Sequence, residues 1–413
     1  MLHLKIMNVK KFRFPLFWQI LTALVVAIIF GIIAPGYVNY VSWMGDLFMR
    51  GLKMIIIPLI LTSIISGVAN IGSADNLGRL GIKTMSYYII TSIIAILTGL
   101  FFVNLLKPGV GADLGFKQQV DDLPALTTSF GDLLLNIVPT NIIKAMVEND
   151  ILALIFFAIL FGFFITRIAE KPKSLLTNLA NAGFDVMMKM TQFIIWFTPF
   201  GIFGIVSKVI AEQTNLADLA IRLGSYFLTV LLGLIVHFGI TLPLILRFVA
   251  KVNPFAHYKA VGPALLTAFS TSSSSATLSL TIDCVKNKVG VSNKITGFTL
   301  PLGATINMDG TALYECVAAM FIAQAYGIEV TFYEQIIVVI TALLASIGAA
   351  GIPMAGLVML SVVLHAIGLP LEGIGLIIAV DRILDMFRTT VNVYSDTVGA
   401  AVIAKSEGET LAI

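Results

Sequence analysis

Charged residues are scarce in this sequence of 413 amino acids. They make up 12% of it, whereas roughly a quarter of an ordinary soluble domain is charged, and 58% of the residues are hydrophobic. This composition excludes a soluble globular protein and predicts a polytopic, all-α membrane protein built from spans of about 20 residues. The net charge of +3 is too small to indicate a nucleic-acid partner.

Cysteine and histidine are also rare, with two and four residues. Cys284 and Cys316 have neither the spacing of metal ligands nor that of a disulfide framework, so both are expected to be packing residues. An intramembrane hydrolase, with a serine from 270–275 or an aspartate pair as catalyst, is one alternative function. The sequence argues against it, because no histidine or lysine lies at base spacing and no Gly-x-Gly-Asp motif occurs.

Basic residues are confined to certain loops, which predicts the topology. Lys5, Lys10, Lys11 and Arg13 precede a long apolar run without a cleavage site, so a cytoplasmic N-terminus and a first transmembrane helix are expected, with no signal peptide. Lys405 places the other terminus in the cytoplasm as well. The absence of N-glycosylation sequons favours a bacterial inner membrane. Eight spans are predicted, at residues 15–34, 42–70, 83–107, 129–168 (a broken region), 175–210, 219–248, 292–326 and 371–404.

Two further apolar segments are interrupted in their middle. Residues 262–282 contain the polar run at 270–275 and have lysines on both flanks, whereas residues 336–368 break at 346–353 and have no lysine or arginine on either flank. This pattern predicts two re-entrant hairpins, the first entering from the cytoplasm and the second from outside; two loosely packed ordinary spans are the alternative. Each hairpin precedes a helix with a polar centre, which predicts an inverted repeat formed by residues 254–326 and 333–404.

The last predicted helix carries a polar stripe. Asp381, Asp385, Arg388, Asn392 and Asp396 recur at steps of four, three, four and four, which puts them on one face of a helix that is otherwise largely apolar. A charged residue in the middle of a membrane helix costs roughly 2.5–3.5 kcal/mol unless it faces a partner. These side chains are therefore expected to face one another, ions or a ligand; a solvated face of a surface helix is the alternative.

The types of residue in these breaks indicate what they bind. Asn-Met-Asp-Gly-Thr at 307–311 offers freed carbonyls, a carboxylate and hydroxyls, a set of oxygens that suits a hard monovalent cation. The serine run and the Gly-Ala-Ala-Gly tip at 348–351 offer backbone N–H groups to an anion. The fork of Arg388 matches a carboxylate, and Asp385 suits an ammonium group. Together they predict a receptor for an acidic zwitterion.

Glu315 follows Asp309 by six residues in an apolar context. Desolvation favours the protonated form of a carboxyl group, so Glu315 is a candidate proton carrier. A neutral packing residue, held by hydrogen bonds, is the alternative.

Four motifs together resemble the glutamate/aspartate transporter family, the dicarboxylate/amino acid:cation symporters that include the excitatory amino acid transporters. They are Ser-Thr-Ser-Ser-Ser-Ser-Ala-Thr-Leu at 270–278, Asn-Met-Asp-Gly-Thr at 307–311, Gly-Ile-Pro at 351–353 and Asp-Met-Phe-Arg-Thr-Thr-Val-Asn-Val at 385–393. The resemblance implies a homotrimer in the lipid bilayer, which is a transporter and not an enzyme.

The resemblance also implies an elevator mechanism, in which a transport domain slides along a static scaffold. Residues 1–80 and 109–217 would form the scaffold. The transport domain would consist of helix 3 (81–108) and residues 218–413, which include helix 6, the inner hairpin 254–286, helix 7 broken at 307–311, the outer hairpin 333–368 as the gate, and helix 8.

Matching positions imply the ligand sites residue by residue. The substrate would be held by Arg388, Asp385, Thr389, Asn392, Thr311 and Ser274, with backbone from Ile352 and Gly356. About three sodium sites are implied: Asp396 with carbonyls of Gly303, Asn307 and Asn392; Thr305, Met308, Ser346, Ile347 and Ala349; and Tyr88, Thr91, Ser92, Asn307 and Asp309. Glu315 matches the glutamate of the proton-coupled members, so proton co-transport is implied and potassium return stays open.

The expected function is sodium-coupled symport of L-glutamate or L-aspartate, with a C4-dicarboxylate or a neutral amino acid as the alternative substrate. Two departures from the family pattern bear on the site. Ser272 and Met386 stand where relatives place a second arginine, for which Arg382 is the candidate substitute. Met354 stands in the outer tip where relatives carry glycine, which is expected to stiffen the gate.

Overall fold

The computed structural model describes residues 16–71, 78–111, 138–148, 151–212, 216–349, 351 and 354–413. Within these ranges the regular structure is helical and contains no strand, so the all-α prediction is confirmed there. The basic leader, residues 129–137 and Ile352 lie outside the described residues. The helices are α1 (Leu16–Ile33), α2 (Ser42–Ile71), α3 (Gly78–Leu106), α4 (Ile142–Glu148), α5 (Ile151–Ile165), α6 (Glu170–Trp196), α7 (Thr198–Glu212), α8 (Leu216–Ala250, with two π-helical turns), α9 (Pro254–Thr271), α10 (Ser274–Cys284), α11 (Asn293–Ile306), α12 (Asp309–Ala325), α13 (Phe332–Gly348), α14 (Ala355–Ala366) and α15 (Ile374–Ser406).

Three of these helices are each long and apolar enough to cross a membrane: α2, α3 and α8. Helices α6 and α7 pass the same test as a pair that bends by 52°. Helix α15, which carries the polar stripe, is not among these helices. These helices fit a polytopic membrane protein, and the count of eight spans stays a prediction.

One set of helices packs around α2, which contacts α5, α6 and α7, while α7 also packs along α1. Glycines make the α2–α7 contact close. A Cβ added at Gly204 would lie 2.5 Å from the backbone nitrogen of Gly45. Membrane helices approach closely through such small residues, because there is no hydrophobic drive between them in lipid.

A second set packs around α12 and α15. Helix α12 lies against α3, α13, α14 and α15, and nearly every residue in it is buried. Helices α9, α10 and α11 also contact α15. A helix that is enclosed on all sides can hold charged groups only where they meet partners, and α12 holds Asp309 and Glu315, which are both fully buried. The sets touch through α7 and α15, α2 and α13, and α2 and α14; the division into scaffold and transport domains stays a prediction.

Three breaks interrupt the second set of helices where the sequence has its polar runs. Helix α9 ends at Thr271, Ser272 adopts a left-handed φ of 50°, and the Ser273 hydroxyl then caps α10. Helix α11 ends at Ile306 and α12 begins at Asp309. Helix α14 follows Met354, whose φ of 62° is left-handed although the residue is not glycine. The capping serine and the left-handed residues end one helix and start the next within a few residues.

Candidate substrate and cation site

The polar face of α15 meets the two hairpin tips and the start of α12 around a small cavity. The volume of this cavity is about 10 Å³, which is room for about one water molecule. Six of the eight predicted substrate residues line it: Ser274, Thr311, Gly356, Asp385, Thr389 and Asn392. Arg388 lies directly beside it, and Ile352 lies outside the described residues.

Arg388 is the central cation of this site and is 1% exposed. Its Nη2 lies 2.8 Å from Asp385 Oδ1 and 3.2 Å from Asp381 Oδ1, and its guanidinium carbon lies 3.7 Å from the centroid of the Tyr314 ring. A Cβ added at Gly356 would lie 2.6 Å from Arg388 Nη1, so glycine is required for α14 to come this close. Nε and Nη1 make no hydrogen bond within the described structure, which leaves two buried donors for a ligand.

Asp385, the predicted partner of an ammonium group, is already paired. Its Oδ1 accepts from Arg388, and its Oδ2 accepts from Arg382 Nη1 at 3.2 Å and from the backbone N–H of Met354 at 2.9 Å. The sequence lacks the second arginine at positions 272 and 386, and in the structure Arg382 places a second guanidinium on Asp385. The contact from Met354 ties the outer hairpin tip to the same carboxylate.

The two hairpin tips also contact each other. The Ser273 hydroxyl donates to the carbonyl oxygen of Gly351 at 2.6 Å, and the backbone N–H of Ser275 donates to the same oxygen at 3.1 Å. The N-termini of α10 and α14, at Ser274 and Ala355, line the cavity together. Their combined partial positive charge favours an anionic group in the cavity.

Asn392 links α15 to the start of α12. Its Oδ1 accepts from the backbone N–H of Gly310 at 2.7 Å, and its Nδ2 lies 3.1 Å from Thr311 Oγ1 and 3.2 Å from Met308 Sδ. These bonds fix the side chain at the edge of the cavity, where the unwound turn between α11 and α12 meets α15.

Asp309 lies at the centre of one predicted cation site. Its Oδ1 accepts hydrogen bonds from Ser92 at 2.7 Å and Thr91 at 3.3 Å, both on α3. Its Oδ2 lies 2.6 Å from Ser395 Oγ and 3.0 Å from His237 Nε2. Every one of these side chains is buried, so the carboxylate has exchanged water for hydroxyl and imidazole partners.

Asp396 and Asn307 form a second predicted site directly beside the first. Asn307 Nδ2 donates to Asp396 Oδ1 at 2.9 Å, while the buried Asn307 Oδ1 has no hydrogen-bond partner within the described structure. Gly303 packs against the Asp396 carboxylate, and the hydroxyl of Tyr88 donates to a backbone carbonyl of the same helix, α11. A buried oxygen without a donor beside two carboxylates fits a cation that needs oxygen ligands.

The third predicted set lies near the hairpin tip. The hydroxyls of Thr305 and Ser346 each donate to a carbonyl three residues earlier in their own helices, at 2.9 Å and 2.8 Å. Their lone pairs therefore remain to accept or coordinate. Ala349 is buried and donates its N–H to the Ser346 carbonyl, Ile347 packs against the hydrophobic core, and the Met308 carbonyl accepts from Ala312. Among the described residues, no hydrogen bond is recorded between the members of this set at 305–308 and those at 346–349.

Glu315 is fully buried in α12, one residue after Tyr314. Neither carboxyl oxygen has a hydrogen-bond partner within the described structure. A carboxyl group in this setting is costly when ionised, and this accords with the role of a group that carries a proton.

Four residues that the sequence did not assign belong to the site: His237, Ser395, Asp381 and Tyr314. His237 was a lone histidine in an apolar span, and nothing in its context identified Asp309 as its partner. Asp381 belongs to the polar stripe of the last predicted helix, but the sequence assigned it no role. Ser395 is adjacent in sequence to the predicted cation ligand Asp396, and that position is the one signal that could have identified it. Within the described residues no group of three histidine, cysteine, aspartate or glutamate side chains could hold a metal ion, so any cation here would rely on hydroxyl, amide and carbonyl oxygens as well.

Buried charges around the broken helices of an all-helical apolar protein define a membrane transporter rather than an enzyme. The particular family follows from comparison with known proteins. Residues 16–406 match the model of the sodium:dicarboxylate symporter family, and the chain belongs to that family.

Named relatives are similar over most of their length. The excitatory amino acid transporter of Caenorhabditis elegans is 37% identical over 416 residues, which cover 90% of this chain and 82% of the relative. Excitatory amino acid transporter 3 of Mus musculus is 37% identical over 448 residues, covering 94% and 85%. Its counterpart in Homo sapiens is 38% identical over 417 residues, covering 89% and 79%.

Proposed function

We propose that this protein is a secondary active symporter that couples uptake of an acidic amino acid, L-glutamate or L-aspartate, to a sodium gradient. The observation that carries the proposal is the pair of unpartnered donors on Arg388, Nε and Nη1, beside a cavity that two helix N-termini line. A substrate carboxylate would meet a guanidinium fork and two positive helix ends there. Asp385 would accept the ammonium group in place of its arginine partners.

Sodium coupling is supported by Asp309, Asp396 and the unpartnered Oδ1 of Asn307. Two buried carboxylates in one network repel each other, and a bound cation would relieve that repulsion. The start of α12 joins this network to the substrate cavity through Gly310, Thr311 and Asn392. Cation binding would thereby order the residues that hold the substrate, which is the physical basis of coupling that we propose.

The remaining parts of the proposal rest mainly on family membership. They are the homotrimer, the elevator motion of residues 81–108 and 218–413 against a scaffold of residues 1–80 and 109–217, about three sodium ions, and a bacterial inner membrane with cytoplasmic termini. The outer hairpin would be the gate, which its contacts with Asp385 and the inner tip support. Glu315 would carry a proton, and return of potassium is an alternative route for balancing charge.

The test is uptake of radiolabelled L-aspartate and L-glutamate into proteoliposomes that contain the purified protein. Sodium, proton and potassium gradients are imposed one at a time, with an ionophore that collapses the sodium gradient as the control. We expect uptake that needs external sodium and stops with the ionophore. Uptake of serine in preference to aspartate, or substrate flux without any cation dependence, would contradict the proposal.

A C4-dicarboxylate is the second candidate substrate, and one observation favours it. A dicarboxylate has no ammonium group, so by itself it would leave Asp385 as a buried unpaired anion. Because Arg382 already pairs with Asp385, that cost is reduced in this chain. Competition with unlabelled succinate separates the candidates, since succinate that inhibits aspartate uptake and is itself accumulated would assign the dicarboxylate.

A further inference from the structure

The segment that follows α15, residues 407–413, folds back onto the set of helices around α12 and α15, and we call it the terminal clasp. Glu409 Oε2 accepts from the backbone N–H of Ser292 at 3.0 Å. The backbone N–H of Ala412 donates to the carbonyl oxygen of Val289 at 2.9 Å. The clasp therefore ties the end of α15 to the link between α10 and α11.

Glu407 connects the clasp to α3 as well. Its Oε2 accepts from Arg79 Nη2 at 2.6 Å and its Oε1 accepts from Lys83 Nζ at 2.6 Å, so each carboxylate oxygen has a cation of its own. Lys83 Nζ also donates to the carbonyl oxygen of Ser406, the last residue of α15, at 2.9 Å. An isolated surface ion pair contributes little, whereas a carboxylate that is shared by two cations forms a network that can fix the end of a helix.

The clasp holds α3 near one of the points at which the chain passes between the two sets of helices. Helix α3 follows α2 and residues 72–77, which lie outside the described residues. Arg79 and Lys83 occupy the first two turns of α3. Because the chain joins the two sets here, a displacement of one set against the other would pull on this end of α3, and the clasp opposes that pull.

The middle of α3 carries hydroxyl groups of the proposed cation site. Ser92 and Thr91 donate to Asp309 Oδ1 at 2.7 Å and 3.3 Å. Two tyrosines of the same stretch bond to backbone carbonyls of other helices: Tyr88 to Thr299 at 2.7 Å and Tyr87 to Ser395 at 3.3 Å. These bonds fall within about one and a half turns of α3, so all of them depend on the same register of the helix along its axis.

The distance from the clasp to the cation site is short enough for the helix to transmit a shift. Lys83 and Ser92 are separated by about 13.5 Å along the axis of α3. A displacement of about 0.8 Å along the Ser92–Asp309 bond would stretch it from 2.7 Å to about 3.5 Å, where a hydrogen bond is essentially lost. The apolar contacts of α3 with Leu313 and Val317 of α12 are not directional, so they set this register less sharply.

We propose that Glu407 is a positioning residue for the cation site. The clasp holds α3 at the register in which Thr91 and Ser92 meet Asp309, and it thereby sets the affinity for sodium from the end of the helix. This inference rests on the proposed sodium-coupled symport. Glu407 acts through α3 and is not itself a ligand of the cation or the substrate, so its loss should weaken sodium binding more than substrate binding.

The experiment uses the purified full chain and measures two sodium concentrations, one for half-maximal thermal stabilisation and one for half-maximal uptake of aspartate into proteoliposomes. Glu407→Gln removes the charge and keeps the shape of the side chain. Glu148→Gln is the matched control, because Glu148 pairs with Lys144 at 3.7 Å within α4. Glu409→Gln is a control inside the clasp, because Glu409 bonds to the link before α11.

For Glu407→Gln we expect both sodium concentrations to rise about three- to fivefold, while the aspartate concentration for half-maximal uptake at saturating sodium stays within about 1.5-fold. Both controls should keep the sodium dependence of the wild type, and Glu407→Asp, which keeps the charge, should recover part of the loss.

A double-mutant cycle with Ser92→Ala tests whether the clasp acts through α3. Independent sites contribute additively, whereas coupled sites do not. Once the Ser92 hydroxyl is removed, Glu407→Gln should raise the sodium concentration by less than about a further 1.5-fold. Thr91→Val takes the place of Ser92→Ala if the latter loses its response to sodium.

A sodium dependence of Glu407→Gln equal to that of Glu148→Gln would overturn the inference. An equal shift in Glu409→Gln would also overturn it, because the clasp would then stabilise the protein in general. Equal changes in the sodium and aspartate dependence, or full additivity in the cycle, would have the same consequence. A wild type whose stability and aspartate uptake do not respond to sodium is a different result, because it rejects the proposed function itself.

Discussion

Gly303 provides a test of the proposed cation site that leaves the substrate contacts in place. It lies in α11, where a methyl group from Gly303→Ala would overlap Asp396 Oδ1 and lie 2.8 Å from both Asp396 Cγ and the hydroxyl of Tyr88. Ordinary contact begins near 3.4 Å, so the carboxyl carbon must retreat by at least about 0.6 Å. Cation–ligand distances tolerate only about 0.2 Å. Overpacking of a tight site costs about 1–3 kcal/mol, which corresponds to a roughly 5- to 150-fold weaker interaction.

The expected result is a sodium concentration for half-maximal uptake that rises by at least about fivefold in Gly303→Ala, while the concentration of aspartate for half-maximal uptake at saturating sodium changes less. Gly297→Ala is the matched control, because a Cβ added there, on the same helix, meets no atom within 4 Å. If the sodium dependence of Gly303→Ala were within about twofold of that control, Asp396 would not be a sodium ligand and the site would need a different assignment.

Three further predictions follow from single side chains. Arg388→Ala should abolish uptake of acidic substrates while sodium still stabilises the purified protein against heat; equal loss of both effects would mean misfolding. Glu315→Gln should remove any acceleration of uptake by an imposed proton gradient, and unchanged acid-driven uptake would exclude Glu315 as the carrier. Glu407 lies beyond α15, and the side chains of Lys83 and Arg79, which donate to it, lower the pKa of its carboxyl. These ion pairs are therefore present above the ordinary pKa and lost as the pH falls through the lowered one. Glu407→Gln should lower the midpoint of thermal unfolding at neutral pH, and the difference from the wild type should shrink as the pH falls through that lowered pKa.

Much of the arrangement around the site could be predicted from the sequence, because polar residues inside apolar segments are costly and have few acceptable environments. The steps between Asp381 and Asp396 fit a single helix face, and α15 places these side chains on the buried side as that spacing requires. The runs at 270–275 and 307–311 predicted interruptions, and the helices end there. In each case the residues on which the prediction rests lie close together in the sequence.

Long-range partners could not be predicted in the same way. His237 meets Asp309 across 72 positions of sequence, and Arg79 meets Glu407 across 328. A lone histidine in an apolar span looks the same whether it packs neutrally or pairs with an acid. The register of α8 against α12 decides between these cases, and that register depends on packing of many apolar side chains rather than on any motif.

The pairing of Asp385 changes the physical account of how the site selects its substrate. From the sequence alone Asp385 is a bare anion, so that a ligand without an ammonium group would leave a buried charge unpaired. In the closed structure Arg382, Arg388 and the N–H of Met354 already satisfy that carboxylate. Binding of an ammonium group therefore replaces one set of charge-assisted hydrogen bonds to Asp385 with another. Its net contribution to the free energy of substrate binding is the difference between the two sets. Selectivity between an amino acid and a dicarboxylate must then depend on how readily Arg382 and the outer tip release Asp385.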